Sequence, residues 1–146
     1  MGYSHSWHIV DPASWRNILP KLVEDSHEII ETANIRVQYI DSRPILDRER
    51  GIQFNGSGDD GCEDFSLSNG AGICKTNRKP YDLVVCAILL RAYQLAPDAI
   101  KISSDGRWEE WEEARMMVRK LWPGTTMACP WEELEEIGEL KVLKAS

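Results

Sequence analysis

Apolar residues recur at helical spacing from Asp11-Pro12 onward, with Trp15, Ile18, Leu19, Leu22, Val23, Ile29, Ile30 and Ala33 sharing a face. Asp11 can cap the first turn and Pro12 suits the first helical position. Pro20 lacks an N–H, so it predicts a kink or a split, and Asn34 suits a left-handed C-cap. The period then changes to two. Ile35, Val37 and Tyr39 alternate with Arg36 and Gln38 in a half-buried strand ending at Ile40, and Ile52 and Phe54 mark a second strand. The polar stretch from Asp41 to Arg50, with Pro44, reads as a loop. Phe65 and Leu67 mark a third strand, and Asn69-Gly70 is a strong two-residue hairpin signal. Counting back from that turn sets Phe65 opposite Cys74 and Asp64 opposite Lys75.

Pro80 opens the next helix. Tyr81, Val84, Val85, Ile88, Leu89 and Ala92 line one side, and Leu83, Cys86, Ala87 and Leu90 fill much of the other. A helix apolar nearly all round is a buried helix. Ala96-Pro97 ends it, and residues 99–103 form a short strand with Ile100 and Ile102 on one face. Asp105-Gly106 starts the last long helix, striped by Trp108, Trp111, Ala114, Met117, Val118, Leu121 and Trp122 and stopped by Pro123-Gly124. A short amphipathic helix from Pro130 to Ile137 follows.

The predicted order is α-β-β-β-β-α-β-α-α. This is an α+β fold with a mostly antiparallel sheet of four to five strands and helices on one face. The 146 residues make a single domain, with 124–146 as a C-terminal extension containing the short helix.

The net charge of -7 disfavours general nucleic-acid binding, which needs clustered bases to neutralise phosphates. From Ser104 to the end there are ten acids against six bases, the composition of a solvated face. No run of about 18 apolar residues would span a membrane. Cysteines 62, 74, 86 and 129 form no C-x-x-C pair and read as free thiols of a cytoplasmic protein, a Cys62–Cys74 bridge being allowed but not implied. Met1-Gly2 begins a formal myristoylation pattern, against which the bulky Tyr3 argues.

Two charged segments stand out. Asn55 to Asp64 packs three glycines with Asp59, Asp60, Glu63 and Asp64, and Lys75-Thr76-Asn77-Arg78-Lys79 leads into the buried helix. In the first, Asp59, Asp60 and Glu63 are the candidate catalytic acids, but the EF-hand spacing is absent, so neither a metal nor a cofactor is expected. In the second, the cations and the neutral donors Thr76 and Asn77 precede a helix N-terminus, which favours anions. Asn55, Ser57, Lys75, Thr76, Asn77, Arg78 and Lys79 are therefore the candidate ligand-binding residues. His5 and His8, three apart near the start, lack a third metal ligand. Ser103, Ser104 and Arg107 sit where a strand runs into a helix, with no neighbouring base in sequence.

No spacing spells a nucleophile elbow, zinc protease or cysteine–histidine signature, so whether the chain is an enzyme stays open. The leading expectation is a soluble intracellular binding or adaptor domain recognising a protein partner or small anionic ligand. One alternative is a hydrolase or transferase using the loop acids, with or without a divalent cation, and Arg78 or Lys79 to hold an anionic substrate. Another is a viral or host assembly protein with an apolar interface around Trp131.

Overall fold

The computed structural model describes residues 2–137 and 140–144. It is an α+β fold, in which three helices pack against antiparallel sheets of three and four strands. The elements are β1 (Ser4–Ile9), α1 (Pro12–Ala33), β2 (Val37–Gln38), β3 (Ile45–Asp47), β4 (Gly51–Gly56), β5 (Phe65–Leu67), β6 (Ala71–Lys75), α2 (Asp82–Leu95), β7 (Ile100–Ser104), α3 (Glu112–Leu121), β8 (Glu133–Ile137) and β9 (Leu140–Lys144).

The first strand went unanticipated, and it reorganises the sheet. β1 alternates cleanly, with Tyr3, His5, Trp7 and Ile9 buried while Ser4, Ser6 and His8 look outward. Three of those four inward residues, Tyr3, His5 and Trp7, are aromatic rather than aliphatic, which hid the period. β1 lies between β6 and β7, antiparallel to both, pairing His5 with Cys74 on one side and with Ser104 on the other. Because β1 takes up β6, the expected β5–β6 ladder does not form; β5 pairs with β4, Phe65 opposite Phe54. The Asn69-Gly70 turn thus crosses from one sheet to another, and the strands β1 to β7 form two small sheets instead of one. Asp64 is not opposite Lys75. Glu63 is, exchanging backbone and side-chain hydrogen bonds with it.

Three further differences have local causes. α1 runs unbroken through Pro20 for 22 residues, with Asp11 accepting from the Ser14 amide at 3.2 Å and Asn34 closing it at φ +54°. The stretch expected to be a loop contributes β3, whose Ile45 and Leu46 pair with Gln53 and Ile52. The last helix begins with a 3-10 turn, Trp108–Trp111, before α3. The Trp108 amide donates to the Glu133 carboxylate at 2.6 Å. The short helix expected from Pro130 to Ile137 is instead the first half of a β8–β9 hairpin, Glu133 pairing with Lys144.

α2 is the centre of the core. Residues 84–92 are all buried, and the helix packs against α1, α3 and β7. Burying a Leu- or Ile-sized side chain is worth about 1.5–3 kcal/mol, so Val84, Val85, Ile88, Leu89 and Leu90 make α2 the main source of hydrophobic stability. Its buried Arg91 meets Asp25 of α1 at 2.8 Å. Among the described residues no helix is long and apolar enough to cross a membrane.

A candidate functional site beneath the start of the central helix

The acidic loop is closed on itself. Asn55 Oδ1 accepts from the amides of Gly56 and Cys62, while its Nδ2 donates to the Cys62 carbonyl and to Asp64, both at 2.9 Å. A Cβ on Gly56 would run into the Asp60 carbonyl, one on Gly61 would lie 2.8 Å from the Gly56 oxygen, and Gly58 has φ +56°. The glycines therefore let one backbone cross another, a local requirement rather than an approach to a ligand. Ser57 donates to Gln38 at 3.2 Å. Asp59 and Asp60 are exposed and form no ion pair among the described residues. Glu63 caps the end of β6, its carboxylate accepting from the Lys75 amide and its carbonyl from the buried Tyr81 hydroxyl at 2.6 Å.

The basic segment faces the other way. Asn77 and Arg78 both have left-handed backbones, φ +52° and +60°, a conformation that costs non-glycine residues about 1–3 kcal/mol each. Asn77 is fixed by a mutual contact with Tyr3: its amide donates to the Tyr3 carbonyl, and its Oδ1 accepts from the Tyr3 amide. Arg78 lies 3.9 Å over the Tyr3 ring and pairs with Glu110 at 2.8 Å. Next to it opens a cleft of about 200 Å³, lined by Tyr3, Lys79, Asp82, Cys86, Glu110, Trp111 and Glu113 among others. Lys79 has no ion pair among the described residues. None of Asp59, Asp60 and Glu63 lines this cleft, so the two charged segments do not share it.

Under the cleft lies a polar cluster that the sequence does not advertise. His5 is 1 % exposed on the central strand of its sheet. Its Nε2 sits 2.7 Å from Asp82 Oδ1 and 3.4 Å from Cys86 Sγ, and its Nδ1 is 2.8 Å from Ser104 Oγ. Asp82 also accepts from the Thr76 hydroxyl at 2.5 Å and from the Cys86 thiol at 3.6 Å. Asp82 and Cys86 are one helical turn apart on α2, so both aim at the same place.

The protons can be assigned by counting donors. Ser104 Oγ receives the Gly106 amide at 2.9 Å and the Trp111 indole N–H at 3.2 Å, which occupies both lone pairs. Its own proton therefore goes to His5 Nδ1, and His5 donates from Nε2 to Asp82. Burial acts to raise the Asp82 carboxyl, but hydrogen bonds from His5, Thr76 and Cys86 outweigh it and hold the group below the usual carboxylate range. Burial first, then the Asp82 charge, push the Cys86 thiol well up. Burial likewise raises the Tyr3 hydroxyl.

Chemically, the cluster offers an ionised acid, an imidazole and a protonated thiol at the floor of a cleft. Cys86 as it stands is no nucleophile, since the thiolate is the reactive form. His5 and His8 are three apart, and in a strand that odd spacing puts them on opposite faces, His5 inward and His8 outward. His27 is exposed. The usable signal was the i, i+4 pair Asp82 and Cys86 beside the alternation through His5. All four cysteines, Cys62 and Cys74 included, are free thiols. Compared with family models, curated proteins and solved structures, the chain matches none.

Proposed function

We propose that this chain is a small binding domain whose site is the cleft between Tyr3, Arg78 and Trp111. The observation that carries this reading is the position of Lys79, a half-buried cation without an ion pair at the rim of a cleft floored by an ionised acid. Lys79 offers a contact for a carboxylate or phosphate, and the strained Asn77-Arg78 backbone is the kind of cost that accompanies binding sites. Asp82 and Glu113 line the same cleft, so the charge balance favours a ligand that also carries a donor or cationic group. A small zwitterion of amino-acid type meets both demands. The volume is below the usual range for drug-sized ligands, about 300–1,000 Å³, and suits a molecule of that size.

A protein partner has weaker support, because the large apolar residues exposed among the described ones, Val10, Ile40, Ile73 and Met116, belong to different segments of the chain. Four free thiols accord with a reducing compartment such as the cytoplasm. Calorimetric titration with the free amino acids, inorganic phosphate and acetate tests the reading. Binding of a zwitterion that weakens at least tenfold in Lys79→Ala supports it; binding unchanged by that substitution, or none across the panel, sinks it.

One observation favours a second reading, hydrolase or transferase activity. Ser104, His5 and Asp82 form a hydroxyl–imidazole–carboxylate chain, and Ser104 borders a separate hollow of about 110 Å³ with Ser4, Ser6 and Ile73. Ser104 Oγ would first have to shed one of its two N–H donors. Labelling of Ser104 by a fluorophosphonate, absent in His5→Gln, is the result that this reading requires.

A further inference from the structure

The geometry points to a site for one zinc-like divalent ion, held by His5 Nε2, a carboxylate oxygen of Asp82 and Cys86 Sγ, with its fourth position facing the cleft. The three donor atoms lie within 4.8 Å of one another. In a tetrahedral zinc site, metal–ligand distances of about 2.0–2.3 Å put neighbouring donors roughly 3.3–3.6 Å apart. Here Nε2 to Sγ is 3.4 Å and Sγ to Oδ2 is 3.6 Å. His5 Nε2 meets the other carboxylate oxygen, Oδ1, at 2.7 Å because a proton lies between them, so loss of that proton has to be accompanied by a turn of the Asp82 carboxylate that brings one oxygen to the ion.

The donor set selects the ion. A thiolate, an imidazole and one carboxylate suit zinc, cobalt or a similar borderline-soft cation, whereas magnesium and calcium take oxygen. Three protein ligands and one open position are the pattern of a reactive zinc centre, a structural one having four. Asp82 and Cys86 line the cleft together with Tyr3 and Trp111, while His5 lies on the strand behind, so an open coordination position would face the cleft. The surroundings also hold the ligands in place: Thr76 bonds Asp82, and Ser104 bonds the far nitrogen of His5.

Binding has a defined proton balance. Cys86 releases its thiol proton to solvent and becomes the sulfur ligand. His5 moves its proton from Nε2 to Nδ1, freeing Nε2 for the metal. Ser104 Oγ would then face three N–H donors with two lone pairs, so the longest bond, from Trp111 at 3.2 Å, gives way. The ion therefore has a reporter in the indole of Trp111. This site shares Asp82 with the proposed ligand cleft but uses neither Lys79 nor Arg78, so the metal titration, run without an organic ligand, succeeds or fails independently of zwitterion binding.

The test is titration of the intact, chelator-treated protein with zinc and with cobalt(II) alone. Expected are one ion per chain, a raised melting temperature, a cobalt–thiolate charge-transfer band, a changed tryptophan emission and, in alkylation prolonged until the metal-free chain labels at Cys86 through local opening, protection of Cys86 as mapped by mass spectrometry. Cys86→Ala should abolish the band and weaken zinc binding at least a hundredfold. The absence of a thiolate band in the wild-type protein, or protection of Cys62, Cys74 or Cys129 in place of Cys86, overturns the proposal. The protection map is read on the wild-type chain, so a failure of Cys86→Ala to fold leaves the test intact.

Discussion

Asp25 and Asp82 are both helix carboxylates taken largely out of water, and they are compensated in opposite ways. Asp25, 2 % exposed on α1, is met by Arg91 at 2.8 Å and Lys21 at 3.1 Å, and Trp122 covers the Arg91 guanidinium at 4.2 Å. Asp82 on α2 is met by an imidazole, a hydroxyl and a thiol, with a cleft beside them. Arginine keeps its charge under all ordinary conditions, so Asp25 is committed to architecture. Every donor on Asp82 can exchange its proton or be displaced by an ion. A buried acid set among exchangeable protons is one that can bind something else.

The comparison can be broken at either end. Asp25→Ala leaves Arg91 buried and unpaired and should cost about 3–5 kcal/mol, read from urea unfolding. A loss under about 1 kcal/mol would show that water reaches Arg91 and that the two acids are alike. Asp82→Asn keeps the shape but replaces a charged acceptor, so its cost should be smaller, about 1–3 kcal/mol. If it matched or exceeded Asp25→Ala, the polar cluster would be the structural one.

Thiol chemistry sharpens the contrast. Burial pushes Cys74 up to about 12, and Cys86 is also raised, so at pH 8 both stay as thiols. Alkylation at that pH should mark the half-exposed Cys62 well before either, and rapid labelling of Cys86 would mean that the cluster is open.

The smallest effect belongs to Glu110. A hydrogen bond from the Arg107 amide first, then the Arg78 side chain, hold its carboxyl below the usual glutamate range. A depressed acid stabilises above its unfolded pKa, and that stability is lost as pH falls through the lower folded value. Glu110→Gln should therefore cost a few tenths of a kcal/mol near neutrality, discounted for solvent screening, and nothing at acid pH below that window. An equal cost at both pH values would mean that the contact is not ionic.

What was legible in the sequence follows how local its causes are. The cap at Asp11, the left-handed stop at Asn34 and the all-round apolar character of α2 are written in neighbouring residues, and the structure repeats them. β1 was hidden because its inward residues are Tyr3, His5 and Trp7, whose burial depends on partners about 70 and 100 positions away. That one strand took β6 from its expected hairpin, shifting Lys75 from Asp64 to Glu63. The candidate site needed the same long-range pairing, since His5, Asp82 and Ser104 are distant in the chain. The acidic loop drew notice through its glycines, which backbone crossing at Gly56 and Gly61 explains.

The central position of β1 also sets an order of assembly during synthesis. β1 leaves the ribosome before both of its partners, so one edge stays open until Ala71–Lys75 has emerged and the other until Ile100–Ser104 follows. Closing loops of this length is entropically costly and slow. His5 therefore meets Asp82 and Ser104 only near the end of folding, so a nascent chain halted before Ser104 should carry the core helix but no finished cluster.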